Sequence, residues 1–229
     1  MSNPLSIDNI AFTVLAYPMS YVELFGTICY LSSVWLIAKR KVLTWPVGIV
    51  SVLLYLSLFY QIRLYSDAIE QVYYLIVSVY GWWHWVRSPK DESAVVNVGF
   101  TEARTSVIWL AVTLMVGLFV GALMSRIHSL LPSVFSEPAS YPYVDALTTI
   151  GSFSAMWLLA RRRVESWLYW IVIDLVGIVL YYLKSVRFVA LLYVVLLILA
   201  IKGFRDWRAG AHTIGNRKHM SESYSLEEN

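Results

Sequence analysis

Residues Glu23 to Trp85 recur at Asp145 to Trp207, displaced by 122 positions without a gap, and 20 of the 63 aligned positions are identical. Trp35 falls on Trp157, Lys39-Arg40-Lys41 on Arg161-Arg162-Arg163, and Trp45 on Trp167. Tyr60 falls on Tyr182, Ala68 on Ala190, Gly81 on Gly203 and Trp85 on Trp207. Many of the other pairs exchange one apolar residue for another. A repeat this long folds twice into one supersecondary unit, and each unit buries its apolar face on the other. Two hydrophobic halves with a site between them is the construction of many secondary transporters.

The chain is 59% hydrophobic, with a mean hydropathy of +0.62 and only 14% charged residues. A soluble domain of 229 residues cannot bury that much apolar surface. Several runs reach the roughly 20 apolar residues that cross a hydrocarbon core. The expected fold is an all-α polytopic membrane protein with seven transmembrane helices, near residues 21–38, 43–61, 66–86, 105–125, 142–160, 166–184 and 187–207. Three helices end on the side opposite to their start, so one further crossing makes the fifth helix parallel to the first. The result is two parallel three-helix repeats joined by a linker helix, a SWEET-like 3+1+3 layout. The expected divisions are a 1–20 N-terminal segment outside the cytoplasm, a 21–86 first repeat, an 87–141 linker region around helix 105–125, a 142–208 second repeat, and a disordered cytoplasmic tail over 209–229.

Lysine and arginine set the expected orientation. The loops after helices one and five carry the two basic triplets, and the segments after helices three and seven carry Arg87, Lys90, Arg104, Arg205, Arg208, Arg217 and Lys218. The other side has only scattered Arg63, Arg126, Lys184 and Arg187. The positive-inside bias puts the N-terminus out and the C-terminus in. Met1 to Ser20 lacks the basic region and short cleavable core of a signal peptide, so the first helix is expected to direct insertion.

Several function classes are excluded. No basic stripe suits nucleic acid, and the net charge of +3 resides in loops. Cys29 is single, which rules out an internal disulfide and a cysteine metal site. There is no G-x-x-x-x-G-K-[ST] phosphate loop, no H-E-x-x-H and no G-x-S-x-G, so neither an enzyme nor a resident cofactor or metal is expected.

Trp167, Trp170 and Asp174 form W-x-x-W-x-x-x-D, a spacing that puts all three on one face of helix six. A carboxylate at mid-helix costs about 2.5–3.5 kcal/mol on insertion scales. Its repeat mate is Val52, so the shared fold does not need it. Two readings stand: a protonated tie between helices, or an acceptor and counter-ion for a polar or cationic substrate. Gln71, Tyr74 and Ser78 share a face of helix three, as a polar lining or as interhelical hydrogen bonds. Glu23 and Asp145, mates at helix N-termini, fit the helix dipole, and His84 fits an interfacial position. Trp45, Trp82, Trp83, Trp85, Trp167 and Trp207 lie near predicted helix ends, where an aromatic belt at the headgroups is the plain reading.

Three stretches carry a family resemblance: W-P-V-G-I-V-S-V-L-L-Y…F-Y-Q-I-R-L-Y from Trp45, E-Q-V-Y-Y-L-I-V-S-V-Y-G-W-W-H-W from Glu70, and E-S-W-L-Y-W-I-V-I-D from Glu165. With the duplicated layout, they make the chain resemble the PnuC family of bacterial vitamin transporters, best known for nicotinamide riboside, over about Glu23 to Trp207. The resemblance implies two three-helix bundles in the inner membrane, often in a homotrimer. It also implies facilitated diffusion of a small vitamin that a cytoplasmic kinase then traps. Trp167 and Trp170 match the family's motif tryptophans and Gln71 its helix-three glutamine. Asp174 stands where nicotinamide riboside members usually have asparagine. A thiamine branch shares the fold, and an aspartate suits the charge of either vitamin. The candidate substrate-binding set is Trp167, Trp170, Asp174, Gln71, Tyr74 and Trp45. A SWEET-like sugar carrier is the competing reading, although saccharides need more hydrogen-bonding side chains than helices two and six offer.

Overall fold

Left-handed residues end four helices, and they fall in pairs of repeat mates: Arg40 with Arg162 (φ 56° and 62°), Arg63 with Ser185 (both φ 62°). Each is followed by an N–H that reaches back five residues: Lys41 to the carbonyl of Leu36, Leu64 to Phe59, Arg163 to Leu158 and Val186 to Tyr181. This closure satisfies carbonyls that a helix end otherwise leaves open, and it turns the chain sharply into the next helix.

The computed structural model describes residues 6–14, 17–89, 95–130, 140–183 and 185–227, with side chains as far as Thr213. Its helices are α1 (Tyr21–Ala38), α2 (Thr44–Gln61), α3 (Tyr65–Val86), α4 (Ala103–Leu130), α5 (Pro142–Ala160), α6 (Ser166–Leu183) and α7 (Arg187–Glu227). Five of these are long and apolar enough to cross a membrane: α1, α2, α4, α6 and α7. The two outside that criterion, α3 and α5, carry Asp67, Glu70, Thr148, Thr149 and Ser152 and pack on each other.

Helix contacts run in a cycle, α1–α2–α3–α5–α6–α7 and back to α1, with α4 outside the ring against α5. The inter-repeat seams α3–α5 and α7–α1 exchange under the 122-residue shift, as a two-fold axis along the bundle requires. α4 docks through Gly117 and Gly121, four residues apart. A Cβ at these positions would come within 2.7 Å of Leu147 and 2.6 Å of Tyr143, so only glycine permits this approach. The Thr113 and Ser154 hydroxyls hydrogen-bond at 2.8 Å across the same seam.

The shared core lies at the triplet end of the ring. Trp45, Trp85, Trp167 and Trp207 are at most 2% exposed. Trp45 meets Trp85 edge-on at 5.4 Å, Trp167 meets Trp207 edge-on at 5.5 Å, and Trp85 lies 5.8 Å from Trp207. The Trp85 indole N–H donates to the Ala160 carbonyl at 3.1 Å and that of Trp207 to the Ile37 carbonyl at 3.0 Å, so each repeat ties the other. Val96 and Val98, from the segment before α4, join this cluster. The aromatic-belt reading therefore fails for these four residues: they pack on one another in a core shared by the two repeats. Trp82 and Trp83 do face outward, at 41% and 55% exposure.

Three further features depart from the sequence expectation. α4 is longer than 105–125 and starts at Ala103. α7 continues to Glu227, through residues expected to be an unstructured tail, with no proline to interrupt it. A two-stranded antiparallel hairpin, β1 (Ile10–Val14) and β2 (Tyr17–Ser20), precedes α1. β2 leads directly into α1, where Ser20 Oγ accepts from the Glu23 N–H and the Tyr17 hydroxyl donates to Glu23 Oε1 at 2.7 Å. Tyr17 also stacks on Phe188 of α7, 5.7 Å between centroids, so the hairpin bridges both repeats at the end opposite the triplets.

Candidate functional site

Asp174 is 3% exposed and, among the described residues, makes no hydrogen bond or ion pair. A buried carboxylate in an apolar bundle is costly without a partner. What surrounds it is aromatic and hydroxylated. Tyr30 of α1 lies within electrostatic reach of Asp174, of Tyr55 on α2, Tyr74 on α3 and Tyr193 on α7. Tyr74 in turn reaches Ser152 of α5. Each of the six ring helices thus contributes a polar side chain to this group: Tyr30, Tyr55, Tyr74, Ser152, Asp174 and Tyr193.

Further polar groups lie toward the end opposite the triplets. Tyr193 stacks on Tyr181 at 5.3 Å, one helix over and two turns beyond Asp174. Tyr181 lies within electrostatic reach of Asp67, Asp145 and Glu70. The Glu70 carboxylate accepts from the Thr149 hydroxyl at 2.8 Å, and the Tyr73 hydroxyl donates to the Phe153 carbonyl at 2.8 Å, so the α3–α5 seam is hydrogen-bonded. Asp145, which the sequence assigns to helix-end electrostatics, sits in this acidic group.

The candidate residues are distributed as follows. Trp170 is partly exposed and packs on the edge of the tryptophan core, one turn from Asp174. Tyr74 and the partly buried Gln71 lie on α3, with Tyr74 in the interior cluster. Trp45 and Trp167 lie deeper, in the core, where Gly81 and Gly203 leave room for their rings. Their indole N–H groups are buried without a hydrogen-bond partner, the same orphaned donor in each repeat. Sequence reasoning missed Tyr30 and Tyr193. A signal for both was present, though not a selective one: Tyr30 is the mate of Ser152 and Tyr193 of Gln71, two of many unlike pairs in the alignment.

Residues 20–209 match the model of the nicotinamide mononucleotide transporter family. The chain belongs to that family. It is a multi-pass membrane transporter and not an enzyme. The nicotinamide riboside transporter PnuC of Escherichia coli is 28% identical to it over 216 residues, covering 88% of this chain and 90% of that one. The riboflavin/roseoflavin transporter RibM of Streptomyces davaonensis is 30% identical over 203 residues, covering 88% and 91%. A crystal structure of the vitamin B3 transporter PnuC superposes with a TM-score of 0.66 at 20% identity, over 84% of this chain and 83% of that one, which fixes the fold. The transporter is thus one of a vitamin-carrying family, built as the six-helix ring with its linker helix.

Proposed function

We propose that the transporter takes up nicotinamide riboside by facilitated diffusion, entering from the acidic end and leaving at the triplet end. The single observation that carries this reading is the buried, unpartnered Asp174, with the Tyr30 and Tyr193 hydroxyls within electrostatic reach. A pyridinium nucleoside brings one positive charge, a flat ring and a set of hydroxyls. The charge complements Asp174, the ring suits Trp170, and the hydroxyls suit Tyr30, Tyr74, Tyr193 and Gln71. Asp67, Glu70 and Asp145 at the entrance attract a cation from solution. By the positive-inside bias the triplet end is cytoplasmic. A cytoplasmic kinase there would trap the product and so give the flux its direction.

Riboflavin is the second reading, favoured by the likeness to RibM. Its ring is neutral, so it gains nothing from a counter-ion at Asp174. Thiamine, a cation, shares the charge argument. Calorimetric titration of the purified transporter with nicotinamide riboside, thiamine and riboflavin separates the three. Tightest binding of nicotinamide riboside supports the proposal, and tightest binding of riboflavin refutes it.

Trp170 supplies a prediction of its own. Stacking on a desolvated cationic ring contributes on the order of 1–2 kcal/mol. Trp170→Ala should therefore weaken nicotinamide riboside binding about tenfold, at 1.4 kcal/mol per decade. Unchanged affinity in the same titration removes Trp170 from the site.

A further inference from the structure

The two basic triplets are mates in sequence but not in surroundings. In the first repeat, Lys39 Nζ lies 3.9 Å from Asp206 Oδ2 of α7, so the second repeat supplies an acid to the first repeat's loop. The two-fold predicts the reciprocal contact, an acid from α3 on the loop Arg161-Arg162-Arg163. The mate of Asp206 is His84, and there the acid is missing. Instead a cavity of about 240 Å³ opens, lined by His84, Asn97, Gly99 and all three arginines. At roughly 30 Å³ per water it has room for a polyatomic anion and several waters.

Most side chains around the cavity are donors, beside one buried acceptor without a partner, Asn97 Oδ1. Arg162 spends one Nη on the Asn97 carbonyl at 3.2 Å and Arg163 one on the Phe100 carbonyl at 2.9 Å, which orients both guanidinium groups. Arg162 Nε remains buried without a partner. Glu165, the acid nearest in sequence, is turned away and bound to the Thr101 N–H and hydroxyl at 2.8 and 3.2 Å. His84 is held by a stack on Tyr80, which itself stacks on Trp157 at 5.1 Å. Burial and the neighbouring Arg163 and Arg161 lower the pKa of Arg162, the sign of an uncompensated cation cluster.

We infer that this cavity binds a phosphate group, which takes the place Asp206 holds in the other repeat. Several guanidinium forks converging on one space recognise a tetrahedral oxyanion better than a monovalent halide. The phosphate has two possible sources, an anionic lipid headgroup or a soluble phosphate. The inference does not rest on the identity of the transported vitamin.

The test is the thermal midpoint of the intact transporter at constant ionic strength. One arm titrates inorganic phosphate against chloride in detergent. The other compares nanodiscs of phosphatidylglycerol with nanodiscs of phosphatidylcholine. The parent should be stabilised by phosphate, by phosphatidylglycerol, or by both, and the arm that responds names the source. His84→Asp, which restores the missing acid, should abolish that response, and the exposed Arg161→Gln should raise the apparent dissociation constant at least tenfold. Lys39→Gln in the other loop should leave it unchanged. No response in either arm for the parent, or the same response in His84→Asp and Arg161→Gln as in the parent, overturns the inference. Binding of nicotinamide riboside, measured in parallel, should not change in His84→Asp.

Discussion

Asp174→Asn should bind nicotinamide riboside about thirtyfold to a hundredfold more weakly than the parent, while reaching the membrane in equal amount. Asparagine keeps the shape and one acceptor but removes the charge. In a site as dry as one with 3% exposure, a charge paired with a ligand cation is worth several times its value in water. Removing one member of a buried charge pair typically costs about 2–5 kcal/mol, and the lower part of that range applies because asparagine retains an acceptor. The reduced nucleoside, with its neutral dihydropyridine ring, serves as the control ligand. Parent and variant should bind it within a factor of a few of each other. If Asp174 is only a protonated tie between helices, both ligands bind the variant as well as the parent. The lack of any protein partner for its carboxylate argues against that alternative.

The second large effect concerns stability. A Cβ on Gly81 would stand 2.4 Å from the Trp45 ring, and one on Gly203 would stand 2.5 Å from the Trp167 ring. Neither ring can retreat, because each packs edge-on against a tryptophan that is itself fixed by a hydrogen bond to the other repeat. Overpacking of this kind costs about 1–3 kcal/mol per site. The two sites share one core, so their effects should not add. Gly81→Ala with Gly203→Ala should lower the apparent melting temperature in detergent by about 10 °C, from about 2–4 °C per kcal/mol at this chain length. Gly151→Ala, whose Cβ would meet nothing closer than 3.4 Å, should change it little. A double variant as stable as the parent would show that the core accommodates a methyl group and does not hold the repeats together.

The same alignment that gave the fold also sorts scaffold residues from the candidate site residues proposed above. Identical mates build the scaffold: Trp45 with Trp167, Gly81 with Gly203, Trp85 with Trp207, in one continuous core. Unlike mates build the interior: Asp174 against Val52, Trp170 against Gly48, Tyr30 against Ser152, Tyr193 against Gln71. A two-fold ring can line its centre asymmetrically only where the copies have diverged, since one substrate binds in one orientation. Asp174 stood out in the sequence because a carboxylate in a membrane span is rare. Tyr30 and Tyr193 did not, because tyrosine is as common in cores and interfaces as in sites. The four buried tryptophans were misread for a physical reason. Position along a helix gives depth in the membrane, but not the azimuth that decides between lipid and neighbour. The α7 extension and the hairpin were illegible because neither is imposed by the hydrophobic period that located the other elements.

The central claim is that this ring passes a cationic nucleoside without an energy source. Counterflow in proteoliposomes tests it most directly, with unlabelled nicotinamide riboside inside, labelled nicotinamide riboside outside, and neither ATP nor an ion gradient. The account predicts transient uptake of label followed by decay to the equilibrium level, competition by thiamine stronger than by riboflavin, and a much reduced rate in Asp174→Asn at low substrate. Exchange of riboflavin with no exchange of nicotinamide riboside, or accumulation above equilibrium only when a proton gradient is imposed, would contradict it.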